Sequence, residues 1–315
     1  MVSGESRIPW IAEDAASRRV LELARKVAET STTVLITGES GTGKDQLARF
    51  IHESSPRASA PYLKIDCASL PPELVESELF GHERGAFTGA TDRKPGRLEM
   101  ARAGTIVLDE VAALATAVQS KLLRVLEERS FERLGGTETL RIDARLVALT
   151  NVDLQRAVEQ GRFREDLYFR LNVVTIRVPA LRERPGDVLP LAEHLLARLC
   201  TVHGKAGASF SAAARQLLAA YSWPGNVREL KNALEHALIF AAGSVLEPGD
   251  FPEVARATLK SAGSRFDSLE SMEEVERRHI AAVLEATRFK MTRAAEVLGI
   301  TRKTLLEKRK KYKLD

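Results

Sequence analysis

The sequence predicts an α/β core, in which a parallel sheet is flanked by helices, followed by an all-helical layer and a basic helical end. Short apolar runs alternate with amphipathic helical segments up to residue 178. From residue 179 onward the apolar residues recur with helical spacing alone. Alternating strands and helices are typical of a parallel sheet with helices on its faces. The change of periodicity therefore marks the end of the α/β core.

Bulk composition excludes several classes of protein. Of the 315 residues, 44% are apolar and 29% charged, which is the balance of a globular protein with a sizeable core. Cys67 and Cys200 are too few for a disulfide framework, so we expect a reducing cytoplasm. We expect neither a signal peptide nor a membrane span, because no long apolar run is present. An aromatic content of 5% argues against a protein that stacks on single-stranded bases.

The first motif lies between a predicted strand, Val34–Thr37, and a helix that begins at Lys44. Its glycines allow backbone N–H groups to converge on phosphate at the helix N-terminus, and Lys44 would reach the β- and γ-phosphates. ATP is therefore the expected cofactor, with a chance glycine-rich turn as the alternative. The expected phosphate-binding residues are Gly38, Glu39, Ser40, Gly41, Thr42, Gly43 and Lys44.

A second motif, Asp109-Glu110, follows the apolar run Thr105–Leu108. We expect Asp109 to orient Mg²⁺ and Glu110 to polarise the attacking water, which is the division of labour that phosphoryl transfer needs. An acidic pair at a strand end is weak evidence for a catalytic site when taken alone. Its distance after a phosphate-binding loop makes that evidence strong. Asp45 stands where the strict motif has Ser or Thr, and it would hold the metal through water, because Mg²⁺ retains several waters.

Between these motifs lies a loop with neither helical nor strand periodicity, Gly85–Ala90. Its side chains are too small to pack a core, so a mobile surface turn is one interpretation. The hexapeptide also resembles the loop with which AAA+ activators of sigma-54 RNA polymerase grip the sigma factor. In that case Phe87 supplies the apolar contact and Thr88 steadies the loop. The expected sigma-54 contacts are Gly85, Ala86, Phe87, Thr88, Gly89 and Ala90.

The same resemblance assigns roles at other strand ends. Family members usually carry an acidic residue at the position of Asp45. At the position of Asp66 they usually carry Asn, which hydrogen-bonds the catalytic Glu and couples nucleotide state to the loop. Asp66 is either that switch or a plain residue at the end of a strand. Asn151, after the predicted strand Leu146–Leu149, resembles the γ-phosphate sensor, although an Asn that caps the next helix fits equally well.

Resemblance also gives roles to two loops around the site. The hairpin Phe131–Gly136 resembles the second pore loop of these activators, which supports the first. The entry segment contains Ile8, Pro9 and Trp10. In related ATPases this segment forms one side of the adenine site; a simple capping contact is the alternative.

Two arginines six residues apart, Arg164 and Arg170, match the family's arginine fingers, which reach into a neighbouring subunit's ATP site. A guanidinium supplied in trans stabilises the charge of the transferred phosphoryl group, so the resemblance implies a ring, expected to be a hexamer. Arginines that merely solvate an exposed face are the alternative. A further family signature is Trp223–Leu230, in which we expect Asn226 to cap the helix that follows. Arg228, in the first turn of that helix, would touch the phosphates or form a structural salt bridge.

The C-terminal segment predicts a helix-turn-helix with its turn at Gly299 and with Thr292 and Thr301 as helix caps. Ala294–Ile300 resembles the Fis-type DNA-binding end of the same activators. The last helix would enter the major groove, although a basic helix end is also favoured by the helix dipole. The expected contacts with double-stranded enhancer DNA are Thr301, Arg302, Lys303, Thr304, Lys308 and Arg309.

The resemblance covers nearly the whole chain and implies an AAA+ core (1–178), a helical lid (179–247), a linker (248–268) and a DNA-binding domain (269–315). The implied function is an ATP-hydrolysing activator in the bacterial cytoplasm that binds enhancer DNA and remodels the closed complex of sigma-54 RNA polymerase holoenzyme. Two alternatives stay open: a DNA-bound regulator that uses ATP only for assembly, and another AAA+ remodeller. Members of this family usually carry a regulatory domain before the core. The resemblance therefore implies either that this domain was removed or that a separate protein controls the chain.

Overall fold

The structure, a computed structural model, describes residues 10–205, 207–256, 272–287, 289–312 and 314, apart from the side chains of 272, 275 and 286. Contacts divide the chain into two units, Met1–Ala255 and Arg256–Asp315. The strands are β1 (Val34–Thr37), β2 (Tyr62–Asp66), β3 (Gly81–His82), β4 (Lys94–Pro95), β5 (Thr105–Asp109), β6 (Ser130–Glu132), β7 (Thr139–Arg141), β8 (Arg145–Thr150), β9 (Val174–Arg177), β10 (Ser209–Phe210) and β11 (Val245–Leu246).

The helices of the first unit begin at the entry segment and end in the lid. They are α1 (Ala15–Ala28), α2 (Lys44–Glu53), α3 (Pro72–Phe80), α4 (Arg97–Met100), α5 (Thr116–Glu128), α6 (Leu154–Glu159), α7 (Glu165–Leu171), α8 (Val188–His203), α9 (Ala212–Ala220) and α10 (Asn226–Phe240). Those of the second unit are α11 (Met272–Ala286), α12 (Met291–Leu298) and α13 (Arg302–Tyr312). Within the described ranges, no helix is long and apolar enough to cross a membrane.

Five strands form the central sheet in the order β2–β5–β8–β1–β9, and every neighbouring pair is parallel. Successive side chains of a strand face opposite sides of a sheet. Leu35 and Ala148 accordingly join the core that contains α3, α5 and α7, whereas Ile36 and Leu149 join the core that contains α1 and α2. The predicted α/β class is therefore confirmed.

The edge strand β9 was not predicted. Of its four residues only Ile176 is buried, so the segment lacks the continuous apolar run that marks β1, β5 and β8. Its pairing with β1, which places Ile176 opposite Ile36, makes it a strand. The sheet edge is thus created by a neighbour rather than by local sequence.

Helices α8, α9 and α10 form the lid around the fully buried Trp223. Phe251 and Val254 pack into the same core, so residues 248–254 belong to the lid and their assignment to a linker is wrong. Two buried apolar side chains among prolines and charges gave too weak a pattern to reveal this. Residues 257–268 of the expected linker lie outside the described residues.

The second unit has a small core that includes Ile280, Leu284 and Leu305. Gly299 ends α12 with a φ of 65°, as its predicted turn requires, and Thr301 caps α13 by accepting the N–H of Thr304 at 3.1 Å. The prediction that Thr292 caps α12 is wrong, because α12 begins one residue earlier and has no side-chain cap. The expected helix residues before 272, and the side chain of Val275, lie outside the described residues.

Candidate functional site

Three neighbouring strands deliver polar residues to one edge of the central sheet. β1 runs into Gly38, and β8 runs into Asn151. β5 ends at Asp109 and is followed by Glu110. Because β5, β8 and β1 are adjacent and parallel, their carboxyl ends meet at this edge, which is where open α/β sheets bind ligands.

The phosphate loop, residues 38–44, needs glycine for space as well as for its torsion angles. Gly38 and Gly41 have φ values of 153° and 77°, which side chains disfavour. A Cβ on Gly38 would also lie 2.7 Å from the carbonyl oxygen of Val178. The loop therefore packs closely on the chain after β9 and directs its end into α2, where backbone N–H groups and the helix dipole favour an anion.

Lys44, the first residue of α2, is 7% exposed and points back along the phosphate loop. Its Nζ donates to the carbonyl oxygens of Gly38 at 2.9 Å and Glu39 at 3.2 Å, and it lies 3.9 Å from Oε1 of Glu110. Burial lowers the pKa of Lys44, although Glu110 and Asp109 oppose that shift. The ammonium thus rests on neutral carbonyl groups, and a charged phosphate oxygen is a stronger acceptor than these.

Glu110 adopts the left-handed region, with φ 51° and ψ 52°. A non-glycine residue held there costs on the order of 1–3 kcal/mol, and such residues cluster at functional sites. Oε2 of Glu110 accepts the backbone N–H of Asn151 at 3.2 Å, so the ends of β5 and β8 are joined. Asn151 does not cap the next helix, because Asp153 caps α6, and that alternative is wrong.

Lys64, which the sequence did not single out, bridges the two expected metal ligands. Its Nζ lies 2.6 Å from Oδ1 of Asp45 and 2.7 Å from Oδ2 of Asp109. Burial lowers the pKa of Lys64, but hydrogen bonds with Asp109 and Asp45 outweigh burial and raise it above its ordinary value. Strand alternation indicated only that Lys64 shares a face with Asp66; the bridge needs α2 and β5 folded beside β2.

Asp45 and Asp109 fit a magnesium ion by their chemistry. Their carboxylate oxygens already converge on one cationic group, the ammonium of Lys64. In the described residues, no group of three His, Cys, Asp or Glu side chains is placed to hold a metal. Mg²⁺ in nucleotide sites commonly takes one or two carboxylates and completes its shell with phosphate oxygens and water. The pair is therefore sufficient for a metal that arrives with a nucleotide.

Asp66 is occupied by its own turn. Its Oδ1 accepts the backbone N–H groups of Ala68 at 3.0 Å and Ser69 at 3.2 Å. Glu110, the proposed partner of a switch residue, instead faces Asn151 and Lys44. These contacts favour the interpretation of Asp66 as a residue that ends a strand and shapes a turn.

The lid clasps the phosphate loop through Glu39. Arg182 donates to both carboxylate oxygens of Glu39, and Nδ2 of Asn226 donates to it at 3.1 Å. The hydrogen bonds from Arg182 and Asn226 lower the pKa of Glu39 to about 2. Arg228 donates to Oγ of Ser40 at 2.6 Å, which places this expected phosphate contact at the loop.

Asn226 was expected to cap α10, and this expectation is wrong. The residue is the first of the helix, with a φ of 53°, and Gly225 takes the cap position without a side-chain bond. The Asn226 amide instead accepts the N–H of Leu181 at 2.7 Å while donating to the phosphate loop. One side chain thus ties the start of the lid to the nucleotide edge.

Arg184 is a second residue that sequence reasoning missed. It is 3% exposed, donates to the carbonyl oxygen of Thr42 at 2.6 Å and pairs with Asp187 at 3.7 Å. Its guanidinium lies 5.5 Å from the ring centre of Trp10, whose edge comes within 3.5 Å of a Cβ built on Gly43. Trp10 therefore borders the phosphate loop, and its role as an adenine wall stays a prediction. Ile8 and Pro9 lie outside the described residues.

The two candidate finger arginines lie just before α7 and in its last turn, and both contact α5. Asp166 holds Arg164 with bonds of 3.0 and 2.7 Å, and Ser120 accepts from the same guanidinium at 3.0 Å. Arg170 donates to the carbonyl oxygen of Leu126 at 3.0 Å. Among the contacts of the described residues, none joins either arginine to Lys44 or to the acidic pair.

The Gly85–Ala90 loop leaves the short strand β3 and is closed by its own backbone. The N–H of Gly85 donates to the carbonyl oxygen of Ala90 at 2.8 Å, and the N–H of Ala90 donates to that of Phe87 at 3.0 Å. Phe87 is 43% exposed and meets the ring of His82 edge-on at 5.0 Å. Thr88 is exposed. The loop thus presents an apolar ring and a hydroxyl from a closed turn.

An ion cluster holds the base of that loop. Arg133 is 4% exposed and donates to Glu83 at 2.9 Å, to Glu138 at 2.9 Å and to both oxygens of Glu99 at 3.0 Å. Arg133 lies after β6, in the segment expected to be the second pore loop, and Glu83 precedes Gly85–Ala90. The two loops therefore share one buried cation.

Two basic side chains of helix α13 make contacts within the second unit. Lys308 pairs with Glu276 of α11 at 2.5 Å, and Arg309 donates to the carbonyl oxygen of Leu314 at 2.8 Å. Arg302 and Lys303 are exposed at the start of the helix. The N-terminal end of α13 consequently presents its basic side chains to solvent, whereas the C-terminal end uses two of them in contacts within the unit.

Family models match most of the chain. Residues 10–177 match the Sigma-54 interaction domain, residues 182–267 match an AAA+ ATPase lid domain, and residues 271–312 match the bacterial regulatory protein, Fis family. The lid match includes residues 248–254, in agreement with their packing.

Relatives match along almost the full chain. This chain is 42% identical to the transcriptional regulatory protein FlbD of Caulobacter vibrioides. It is 44% identical to the regulatory protein AtoC of Escherichia coli and 47% identical to the alginate biosynthesis transcriptional regulatory protein AlgB of Pseudomonas aeruginosa. These alignments cover 96%, 92% and 95% of this chain and span 70%, 64% and 66% of the respective relatives.

Solved structures of NtrX from Brucella abortus share the fold. The complex with ATP has a TM-score of 0.76 at 33% identity, covering 97% of this chain and 70% of NtrX. The complex with ADP has a TM-score of 0.71 at 33% identity, covering 96% and 68%. Together with the domain that spans residues 10–177, these likenesses show that the chain belongs to the sigma-54-dependent transcriptional activators, with an AAA+ core and lid and a Fis-type helix-turn-helix.

Proposed function

We propose that this chain hydrolyses ATP in a ring and moves its Gly85–Ala90 loop against sigma-54, so that the closed promoter complex opens while the C-terminal helices bind enhancer DNA. The observation that carries this proposal is the meeting of Lys44, Asp109 and Glu110 at one sheet edge, in a core that also exposes Phe87. A nucleotide site without an output surface would need no such loop. The NtrX complex with ATP supports the choice of nucleotide.

Each residue at the sheet edge has a distinct task in hydrolysis. Lys44 exchanges carbonyl partners for phosphate oxygens and neutralises charge that develops on them. Glu110, oriented by the N–H of Asn151, polarises the attacking water. Asp45 and Asp109 would hold Mg²⁺, which would supply further neutralisation of phosphate charge. Arg228 and the Glu39 clasp bring the lid onto the same loop.

The remaining charge stabilisation comes from a neighbouring subunit. Arg164 and Arg170 are already oriented by Asp166 and by the carbonyl of Leu126, so little side-chain freedom is lost on docking. Because neither contacts the site of its own chain, each completes the site of the next chain in a ring. This arrangement makes hydrolysis depend on assembly.

Turnover measured against protein concentration tests the ring. Specific ATPase activity of the wild type rises steeply with concentration, and Arg164→Ala loses about 10³-fold or more of it, the range for arginine fingers, while still binding ATP. Arg162→Ala is the matched control, because Arg162 is exposed two residues earlier and, among the described contacts, its side chain bonds only Gln160. Equal activity of the two variants would refute the finger assignment.

Thr88→Ala tests the loop as an output device. We expect ATP turnover to survive and sigma-54 promoter opening to be lost, because Thr88 is exposed and outside the nucleotide site. Thr91→Ala, next to the loop and also exposed, should keep both activities. Loss of turnover and opening together in Thr88→Ala would argue against this role. Opening that survives would favour another kind of AAA+ remodeller, and no turnover in the wild type would favour ATP as an assembly ligand only.

A further inference from the structure

The amine of Lys64 occupies the space between the two carboxylates that the proposed function assigns to the metal. It approaches Asp45 to 2.6 Å and Asp109 to 2.7 Å, so a single nitrogen lies within hydrogen-bond distance of both. Lys64 reaches this point from the middle of β2, where its Cα is paired with Val107 of β5. The side chain is 34% exposed, so it has an open direction in which to leave.

The charges of the site fall into two groups. Lys44 faces Glu110 at 3.9 Å and rests on the phosphate loop, whereas Lys64 faces Asp45 and Asp109. Without Lys64 the two aspartates would face each other as like charges, a costly arrangement at short distance. In the absence of metal, the ammonium of Lys64 therefore supplies the positive charge that balances the two carboxylates. A bound metal cation would supply that charge instead.

A metal at this position needs the oxygen atoms that Lys64 uses. Oδ1 of Asp45 and Oδ2 of Asp109 are the atoms that Lys64 contacts. Two carboxylates alone give Mg²⁺ few protein ligands, and Mg²⁺ gives up its waters reluctantly. Phosphate oxygens raise the ligand count, so the metal that arrives with nucleotide is the one able to displace the amine.

We propose that Lys64 is a resident counter-ion that competes with the metal and makes metal binding at Asp45 and Asp109 depend on nucleotide. This inference rests on the proposed function, because it takes those two residues as the metal site. Lys64 is thus a positioning residue: it keeps both carboxylates in place and withholds them from free divalent cations.

The test measures Mn²⁺ binding to the full chain by electron paramagnetic resonance, with and without a non-hydrolysable ATP analogue. Wild type should bind the site's Mn²⁺ tightly with the analogue and only weakly without it. Lys64→Met should bind Mn²⁺ without nucleotide more tightly by roughly 10- to 100-fold, the range in which groups beside a metal change its affinity. Lys64→Arg, which keeps the charge, should behave as wild type. Lys121→Met is the matched control, because Lys121 pairs with Glu76 at 2.7 Å between α5 and α3.

Each outcome decides the inference. Unchanged nucleotide-free binding in folded Lys64→Met, with normal binding in the presence of the analogue, overturns the competition and leaves the proposed function intact. The double variant, Lys64→Met with Asp109→Asn, should lose the Mn²⁺ site that Lys64→Met gains. If it keeps that site, the metal lies elsewhere, and both the inference and the metal assignment are wrong. Should Lys64→Met not fold, Lys64→Gln carries the same expectation, because it also lacks the charge.

Discussion

The phosphate loop and the exposed Gly85–Ala90 loop of the core use glycine for different reasons. In the phosphate loop, a Cβ on Gly41 would lie 2.7 Å from the carbonyl oxygen of Gly225 and 3.0 Å from Cβ of Arg228. In the exposed loop, a Cβ on Gly85 or Gly89 would meet nothing within 4 Å. Both loops nevertheless require glycine torsion angles, with φ of 77° at Gly41 and 105° at Gly89.

This difference agrees with the proposed roles of the two loops, in which one binds phosphate and the other moves. The phosphate loop takes its shape from the backbone that surrounds it, including the lid. The Gly85–Ala90 loop takes its shape from its own torsion angles and from two internal backbone bonds, and side chains added at its glycines would meet no neighbouring atoms. Its fixed point is Arg133, beneath the loop rather than within it.

The sharpest test of this contrast substitutes one glycine in each loop. Gly41→Ala adds a clash with the lid backbone to a torsion cost of about 1–2 kcal/mol, so we expect ATP affinity to fall by roughly 100-fold. Gly89→Ala incurs the torsion cost alone, and we expect unchanged ATP affinity with weakened promoter opening. Calorimetric titration measures the ATP affinity of both variants, and promoter opening is assayed separately. A similar loss of ATP affinity in the two variants would contradict the distinction.

A smaller effect is expected at the base of the exposed loop. Arg133→Met leaves Glu83 and Glu99 without their buried partner, and because both carboxylates are about one third exposed, we expect a loss of about 2 kcal/mol in the free energy of unfolding. Promoter opening should fall with it. Arg141→Met, at an exposed position of β7, is the control for urea unfolding. A loss no larger than that of the control would mean that the cluster is not an anchor.

Acid should reveal the same anchor. Hydrogen bonding to Arg133 holds the pKa of Glu99 below its usual value of 4.5. Since the folded-state pKa is the lower one, this contribution to stability is present above pH 4.5 and is lost as pH falls through the folded-state value. Unfolding followed below pH 4.5 should therefore show a shallower decline in Arg133→Met than in wild type.

The smallest change is expected at the clasp between lid and phosphate loop. Glu39→Gln keeps a hydrogen-bond acceptor for Arg182 but removes the charge, and the pair is nearly half exposed, so ATP affinity should fall only about threefold. Glu193→Gln, which breaks an exposed pair with Arg215 elsewhere in the lid, should leave ATP affinity unchanged. A loss comparable to that of Gly41→Ala would show that the clasp, rather than steric fit, sets the loop.

Several sequence predictions failed where helix starts were decided by neighbours. Thr292 and Asn226 both looked like caps, yet α12 begins one residue before Thr292, and the Asn226 amide bonds the phosphate loop and Leu181 instead. A polar side chain near a helix start has several partners to choose from. Its sequence position does not tell which of them the fold brings close.

The sequence by itself determined the α/β class and the short motifs, because strand periodicity, glycine torsions and the Asp109-Glu110 pair depend on residues close together in the chain. Only the tertiary structure decided which distant residues complete them. Arg182 reaches Glu39 across 143 positions, Arg133 reaches Glu83 across 50, and Lys64 reaches Asp45 across 19. Contacts of this kind arise from the order of parallel strands and the docking of the lid, which local periodicity does not encode.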